Sequence, residues 1–138
     1  MTPVLDFQSL EKAVAQLDAG LREALSAPDS QLLRDGVIQR FEYTYELSWK
    51  MLRRYLEATL PNPEEVDGMS FQTLIRTGSE QGLLLSGWDN WLRFRKARGT
   101  TSHVYDGEKA REVFSVVPEF LEEARHLLGR LNEKMPRP

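Results

Sequence analysis

Cysteine is absent from this chain, which excludes disulfides and thiolate metal ligands. Histidine is scarce: His103 and His126 lie in separate segments and leave no ligand set for a structural zinc. No apolar run approaches the roughly 20 residues that a membrane-spanning helix requires, so no membrane partner is expected. The opening Met1-Thr-Pro-Val-Leu-Asp lacks a basic region followed by an apolar stretch, so no secretory leader is expected. With the missing cysteines, this points to a cytoplasmic protein. Excess positive charge is lacking too. The formal net charge of −3 argues against a protein that coats nucleic acid indiscriminately. Strand-like alternation is not found anywhere. What remains is a 138-residue chain, 41% apolar, which suffices for one domain over residues 1–138 around a single core.

Helical periodicity fills that domain. Phe7, Leu10, Val14, Leu17, Leu21 and Leu25 recur at three- and four-residue steps, predicting a first helix over roughly 4–27. Pro28-Asp29-Ser30 breaks it and supplies N-cap candidates for a second helix of about 30–59. The second helix carries an apolar stripe of Leu33, Val37, Phe41, Tyr45, Trp49, Leu52 and Leu56. Gly36 inside it suggests close packing or a bend, since glycine weakens a helix interior. Leu60-Pro-Asn-Pro-Glu-Glu-Val-Asp-Gly reads as a connector that cannot continue a helix. Ser70 caps a short helix with Phe71, Leu74 and Ile75, ending near Gly78 or Gly82. Another helix runs from about Ser86 or Gly87 to Arg98, where Gly99 offers a stop. The last begins after Asp106 and carries Val113, Phe114, Val117, Phe120, Leu121, Ala124, Leu127 and Leu128. Pro118 marks a kink or a restart within it. The tail Met135-Pro-Arg-Pro is expected to fray. These elements imply an all-α fold, an up-and-down bundle of four to five helices. Three tryptophans, six phenylalanines and four tyrosines exceed what so small a bundle needs inside, so some aromatic surface is expected to face a partner chain.

Chemistry-bearing residues concentrate in Arg98-Gly-Thr-Thr-Ser-His103-Val-Tyr105. A guanidinium offers a permanent fork for phosphate. An imidazole, with an ordinary pKa of about 6.5, moves protons near neutral pH. A phenol can itself be modified. Arg93, Arg95 and Lys96 lead into the segment as a local basic patch for phosphate or RNA; a solvated helix end would carry the same charges. In continuous helix Arg98 and His103 would point about 140° apart, so a turn at Thr100-Thr101-Ser102 is expected to let them converge. Together they could run a phosphodiester cleavage. Arg98 would hold the phosphate, and His103 would move a proton between the 2′-hydroxyl and the leaving 5′-oxygen, with no metal or cofactor. The ordinary alternative is structural: Arg98 ends a helix, His103 bonds in the turn and Tyr105 packs on the bundle end. Glu42 and Glu46 form a carboxylate pair one turn apart, with Lys50 and Arg34 as intrahelical partners, and read as a polar face rather than as catalysts. His126 is expected to be exposed. Trp49, Trp88 and Trp91 are expected in the core.

Arg98-x4-His103-x-Tyr105 resembles the signature of the HEPN superfamily. Val37-Ile-Gln-Arg-Phe-Glu-Tyr-Thr-Tyr-Glu-Leu-Ser-Trp-Lys50 is similar to a segment of one branch, the HepT-type toxins, also called nucleotidyltransferase substrate-binding proteins. The resemblance extends over about residues 5–131 and implies a dimerising bundle, as a homodimer or a higher even oligomer. It further implies a ribonuclease toxin whose Arg98 and His103 cut RNA. Its partner would be a cognate minimal nucleotidyltransferase, an antitoxin that transfers AMP to Tyr105. The chain departs from the family at Gly99, where an amide side chain, usually Asn, commonly stands. That departure keeps open a second reading, a non-catalytic substrate-binding subunit of a two-component nucleotidyltransferase.

Overall fold

A computed structural model describes residues 5–135, and within them the chain is α-helical with no strand. Helix α1 spans Gln8–Ser26 and α2 spans Gln31–Thr59. A five-residue helix, α3, covers Pro63–Asp67, followed by α4 at Phe71–Glu80. Helix α5 runs Trp88–Thr100, tightens into a 3₁₀ turn at Thr101–His103, and gives way to α6 at Gly107–Lys134. Helices α1, α2 and α6 pack on one another; α5 lies against α6 and α2, and α4 bridges α2 and α5. No helix is long and apolar enough to cross a membrane among the described residues.

Among the described residues, three of the six α-helices begin where a side chain satisfies orphan amides of the first turn. Ser30 accepts from the Leu33 amide, Ser70 from Thr73, and Asp106 from Glu108 and Lys109. The first helix starts later than its periodicity suggests, because the Asp6 carboxylate takes the Gln8 amide at 2.8 Å and Phe7 is left non-helical. The supposed connector contains α3, which Pro63 begins rather than prevents. At the first helical position its missing N–H costs nothing. Pro118 does not restart α6, which is one helix from Gly107 to Lys134. Met135 is not frayed: it is buried, and its amide bonds to Leu131 O. The rest of the expected tail and residue 4 lie outside the described residues. A Cβ at Gly36 would meet open space, so close packing does not explain that glycine. Gly82, with φ of 74°, is the left-handed residue that ends α4.

The core holds Leu10, Leu17, Ile38, Leu52, Leu56 and Leu127 around an aromatic cluster. Phe120 stands at its centre, edge-on to Phe41, Trp91 and Phe94 at 5.1, 6.3 and 5.3 Å. Each such pair adds about 0.5–1.5 kcal/mol beyond its buried area. Trp91 is fully buried, whereas Trp49 and Trp88 are half-buried rim members packed through Phe71. Leu25, assigned to the core by spacing, is exposed; Ala24 takes the buried position. The cluster fixes α5 against α2 and α6, and so fixes where its C-terminal end lies.

Candidate functional site

Helix α5 does not stop at Gly99. Backbone angles stay right-handed at Thr100, Thr101 and Val104, so the chain remains helical past Arg98. Hydroxyls replace the glycine stop. Thr101 Oγ1 donates to Arg98 O at 2.8 Å, and Thr100 Oγ1 to Lys96 O at 3.1 Å, satisfying carbonyls that a helix end would orphan. The reversal comes later, closed by the Asp106 amide on His103 O at 3.1 Å. His103 therefore sits on the last helical residues and Tyr105 in the bend.

Arg98 turns towards α2 and is half-buried. Its Nε donates to Glu46 Oε1 at 3.1 Å, its Nη1 to Thr101 Oγ1 at 3.3 Å, and its Nη2 lies 3.8 Å from Glu42 Oε1. The other oxygen of Glu46 accepts from Trp49 Nε1 at 3.1 Å. The expected partners of the carboxylate pair are thus replaced. Arg34 pairs with Asp35 at 3.2 Å, and Lys50 lies over the Trp49 ring at 5.7 Å. Beneath this group the Tyr45 phenol is pushed up to about 12, first by burial, against the opposing pull of Arg95 and Arg98.

His103 and Tyr105 are exposed, Tyr105 at 87%, with their rings 6.3 Å apart. No hydrogen bond joins Arg98 to His103 among the described residues. Within the chain the structure brings His103 to Tyr105, and Arg98 to Glu42, Glu46 and Thr101. The basic approach is divided as well. Arg93 is held by Glu119 at 2.9 Å, which raises the guanidinium's pKa and lowers that of the carboxylate, chiefly through the hydrogen bond. Arg95 lies over the Phe71 ring at 5.1 Å. Lys96 has no ion pair among the described residues. It lines, with Arg93, Thr100, Glu112, Val113 and Val116, a cleft of about 210 Å³ between α5 and α6. His126, expected to be exposed, is half-buried.

Sequence reasoning missed Glu123. This carboxylate is fully buried and accepts from the amides of Leu85 and Ser86 at 2.7 and 3.0 Å and from the Ser86 hydroxyl. It anchors the segment that launches α5. The available signal was its place three residues after Phe120 and four before Leu127, on the buried stripe of α6.

Comparisons with known proteins agree with this architecture. Residues 5–133 match the family described as nucleotidyltransferase substrate binding protein like. A Haemophilus influenzae protein named "Probable ribonuclease HepT" is 35% identical over 134 residues, covering 95% of this chain and 91% of that protein. A solved Haemophilus influenzae structure, described as the fold of a substrate binding domain of a nucleotidyltransferase, superposes with a TM-score of 0.85 at 30% identity, over 92% of this chain and 99% of the other. A Thermus thermophilus crystal structure gives 0.69 at 36% identity, over 88% and 98%. A whole-length family match, a relative at this identity and a shared helical bundle converge: the chain belongs to the nucleotidyltransferase substrate-binding family, in its HepT-type branch.

Proposed function

We propose that the protein is a metal-independent endoribonuclease of HepT type, the toxin of a pair whose antitoxin is a minimal nucleotidyltransferase. The observation that carries the reading is the Arg98–Tyr105 segment on a chain of this family, with His103 and Tyr105 open to solvent at the α5–α6 bend. Two protomers bring their segments to one shared cleft, so that Arg98 and His103 meet across the pair rather than within a chain. Arg98 stabilises the charge that develops on the phosphate. His103 takes the proton from the RNA 2′-hydroxyl as the 2′-oxygen attacks phosphorus, and delivers it to the 5′-oxygen as the P–O5′ bond breaks. Lys96, with Arg93 and Arg95, guides the strand to this cleft. The antitoxin joins AMP from ATP to the Tyr105 oxygen and releases pyrophosphate. The added phosphate and nucleoside then stand two residues from the proton-transfer group, where substrate phosphate must enter.

The test is incubation of the purified protein with single-stranded RNA in EDTA. Wild type is expected to cleave, with losses of about 100-fold or more in His103→Ala and Arg98→Ala. Added nucleotidyltransferase and ATP should silence the wild type and add AMP-sized mass increments, which Tyr105→Phe abolishes. Equal cleavage by wild type and His103→Ala overturns the catalytic assignment. Stable co-purification with the nucleotidyltransferase but no cleavage identifies the non-catalytic substrate-binding subunit instead.

A further inference from the structure

The contacts around Arg98 pose a question that the ribonuclease reading leaves unanswered. Helix α2 presents Glu42, Glu46 and Trp49 on one stripe, at i, i+4 and i+7, facing the end of α5. Two carboxylates beside one guanidinium leave the group with a formal local charge of −1 before any RNA arrives. Such a cluster is poorly suited to attract phosphate from a distance. It is well suited to fix a side chain. An arginine has four rotatable side-chain bonds before its planar fork, and each must be stilled before the fork can meet a phosphate squarely. Here the still points are visible. Glu46 Oε1 holds Nε at 3.1 Å, Thr101 Oγ1 holds Nη1 at 3.3 Å, and Trp49 Nε1 braces the other Glu46 oxygen at 3.1 Å. Thr101 is buried and, through its bond to Arg98 O, ties side chain to backbone. A guanidinium has five N–H donors. These bonds use one at Nε and one at Nη1, which leaves the second Nη1 hydrogen and the Nη2 pair for an anion.

We infer that Glu46, braced by Trp49, is a positioning residue that holds the Arg98 guanidinium by its Nε edge and presents its Nη edge to a phosphodiester. The inference rests on the ribonuclease reading for its consequence in catalysis, but not for the ordering of Arg98. Because the pair orders rather than attracts, its loss falls on turnover more than on substrate binding. Glu42, at 3.8 Å from Nη2, is the weaker neighbour and lies where an incoming phosphate would displace it.

The test follows the Arg98 Nε–H resonance by NMR in arginine-labelled protein, assigned by its disappearance in Arg98→Lys, beside steady-state cleavage of single-stranded RNA. In Glu46→Ala the protection of that proton from exchange is expected to fall about tenfold. There kcat should drop about tenfold to 100-fold, with KM changed by less than about threefold. Glu46→Gln retains an oxygen for Nε and should recover most of both. Trp49→Phe keeps the ring on Phe71 while deleting the brace, and should give a smaller loss of protection in the same direction. Unchanged protection in both Glu46→Ala and Trp49→Phe, with helical circular dichroism intact, overturns the inference. Faster cleavage by Glu46→Ala also overturns it, by showing Glu46 to be a competitor for the guanidinium. A wild type that cuts no RNA overturns the ribonuclease reading alone, and the exchange measurement then decides the ordering role by itself.

Discussion

Gly99 stands where the family resemblance leads one to expect an amide side chain, and its surroundings set what the difference can mean. A Cβ there would meet no heavy atom within 4 Å, and the residue lies inside α5 with ordinary helical angles. Neither close packing nor a left-handed backbone calls for glycine. Gly99→Asn should therefore fold unaltered and gain at most about 0.5 kcal/mol from helix propensity, read as a small rise in Tm. RNA cleavage should be at least that of wild type, since the amide reaches open space beside the segment without displacing a bond of Arg98. A fall in either measurement would show that the absence of a side chain at 99 is itself required. Glu46 teaches a related lesson. Its spacing offered Lys50 as a partner, but its partner is Arg98, 52 residues away. Local spacing reports only neighbours on the same helix. A pairing across two helices becomes legible when packing brings the faces together.

Elements were most legible where a side chain caps a helix. Ser30, Ser70 and Asp106 all cap in the structure as their positions suggest. Elements were least legible where a rule has two outcomes. Pro63 starts a helix instead of forbidding one, and the hydroxyls of Thr100 and Thr101 prolong α5 past a glycine that could have ended it. The start of α5 depends on an ion that composition alone would send to the surface. Glu123 sits on the buried face of α6 and gathers the Leu85 and Ser86 amides just ahead of Gly87, the N-cap of α5. Arg130 adds a bond from its Nε to Gly82 O at 2.9 Å in the same segment. Glu123→Ala would remove the shared acceptor of two amides and a hydroxyl in part-buried hydrogen bonds. Urea unfolding should show a loss of about 1–3 kcal/mol, as expected when hydrogen-bond donors lose their acceptor. Glu123→Gln, which retains one acceptor oxygen, should lose less. Because the same segment sets the direction of α5, surviving Glu123→Ala protein should also show diminished protection of the Arg98 Nε proton.

Across the whole molecule the arrangement of charge constrains how it can meet a polyanion. The chain carries −3 overall, and its basic stretch is largely spoken for. Arg93 is paired with Glu119, and Arg98 lies between Glu42 and Glu46. Arg95, over Phe71, and Lys96, in the α5–α6 cleft, remain to neutralise phosphates. Each single-strand phosphate contact contributes about −0.7 to the slope of log affinity against log salt. Two to four contacts therefore predict a slope of about −1 to −3 for RNA binding, measured by fluorescence anisotropy with catalytically silent His103→Ala protein. Lys96→Ala should flatten that slope by roughly 0.7 for each protomer engaged, without changing which RNA is preferred. A slope steeper than about −5 would require Arg93 to release Glu119 and Arg98 to release Glu46 on binding. Then the ion pairs would be a gate opened by RNA, and the fixed guanidinium inferred above would be wrong. A shallow slope combined with efficient cleavage is what a pre-ordered Arg98 demands, because a site that spends little on long-range attraction must gain its rate from alignment at the phosphate.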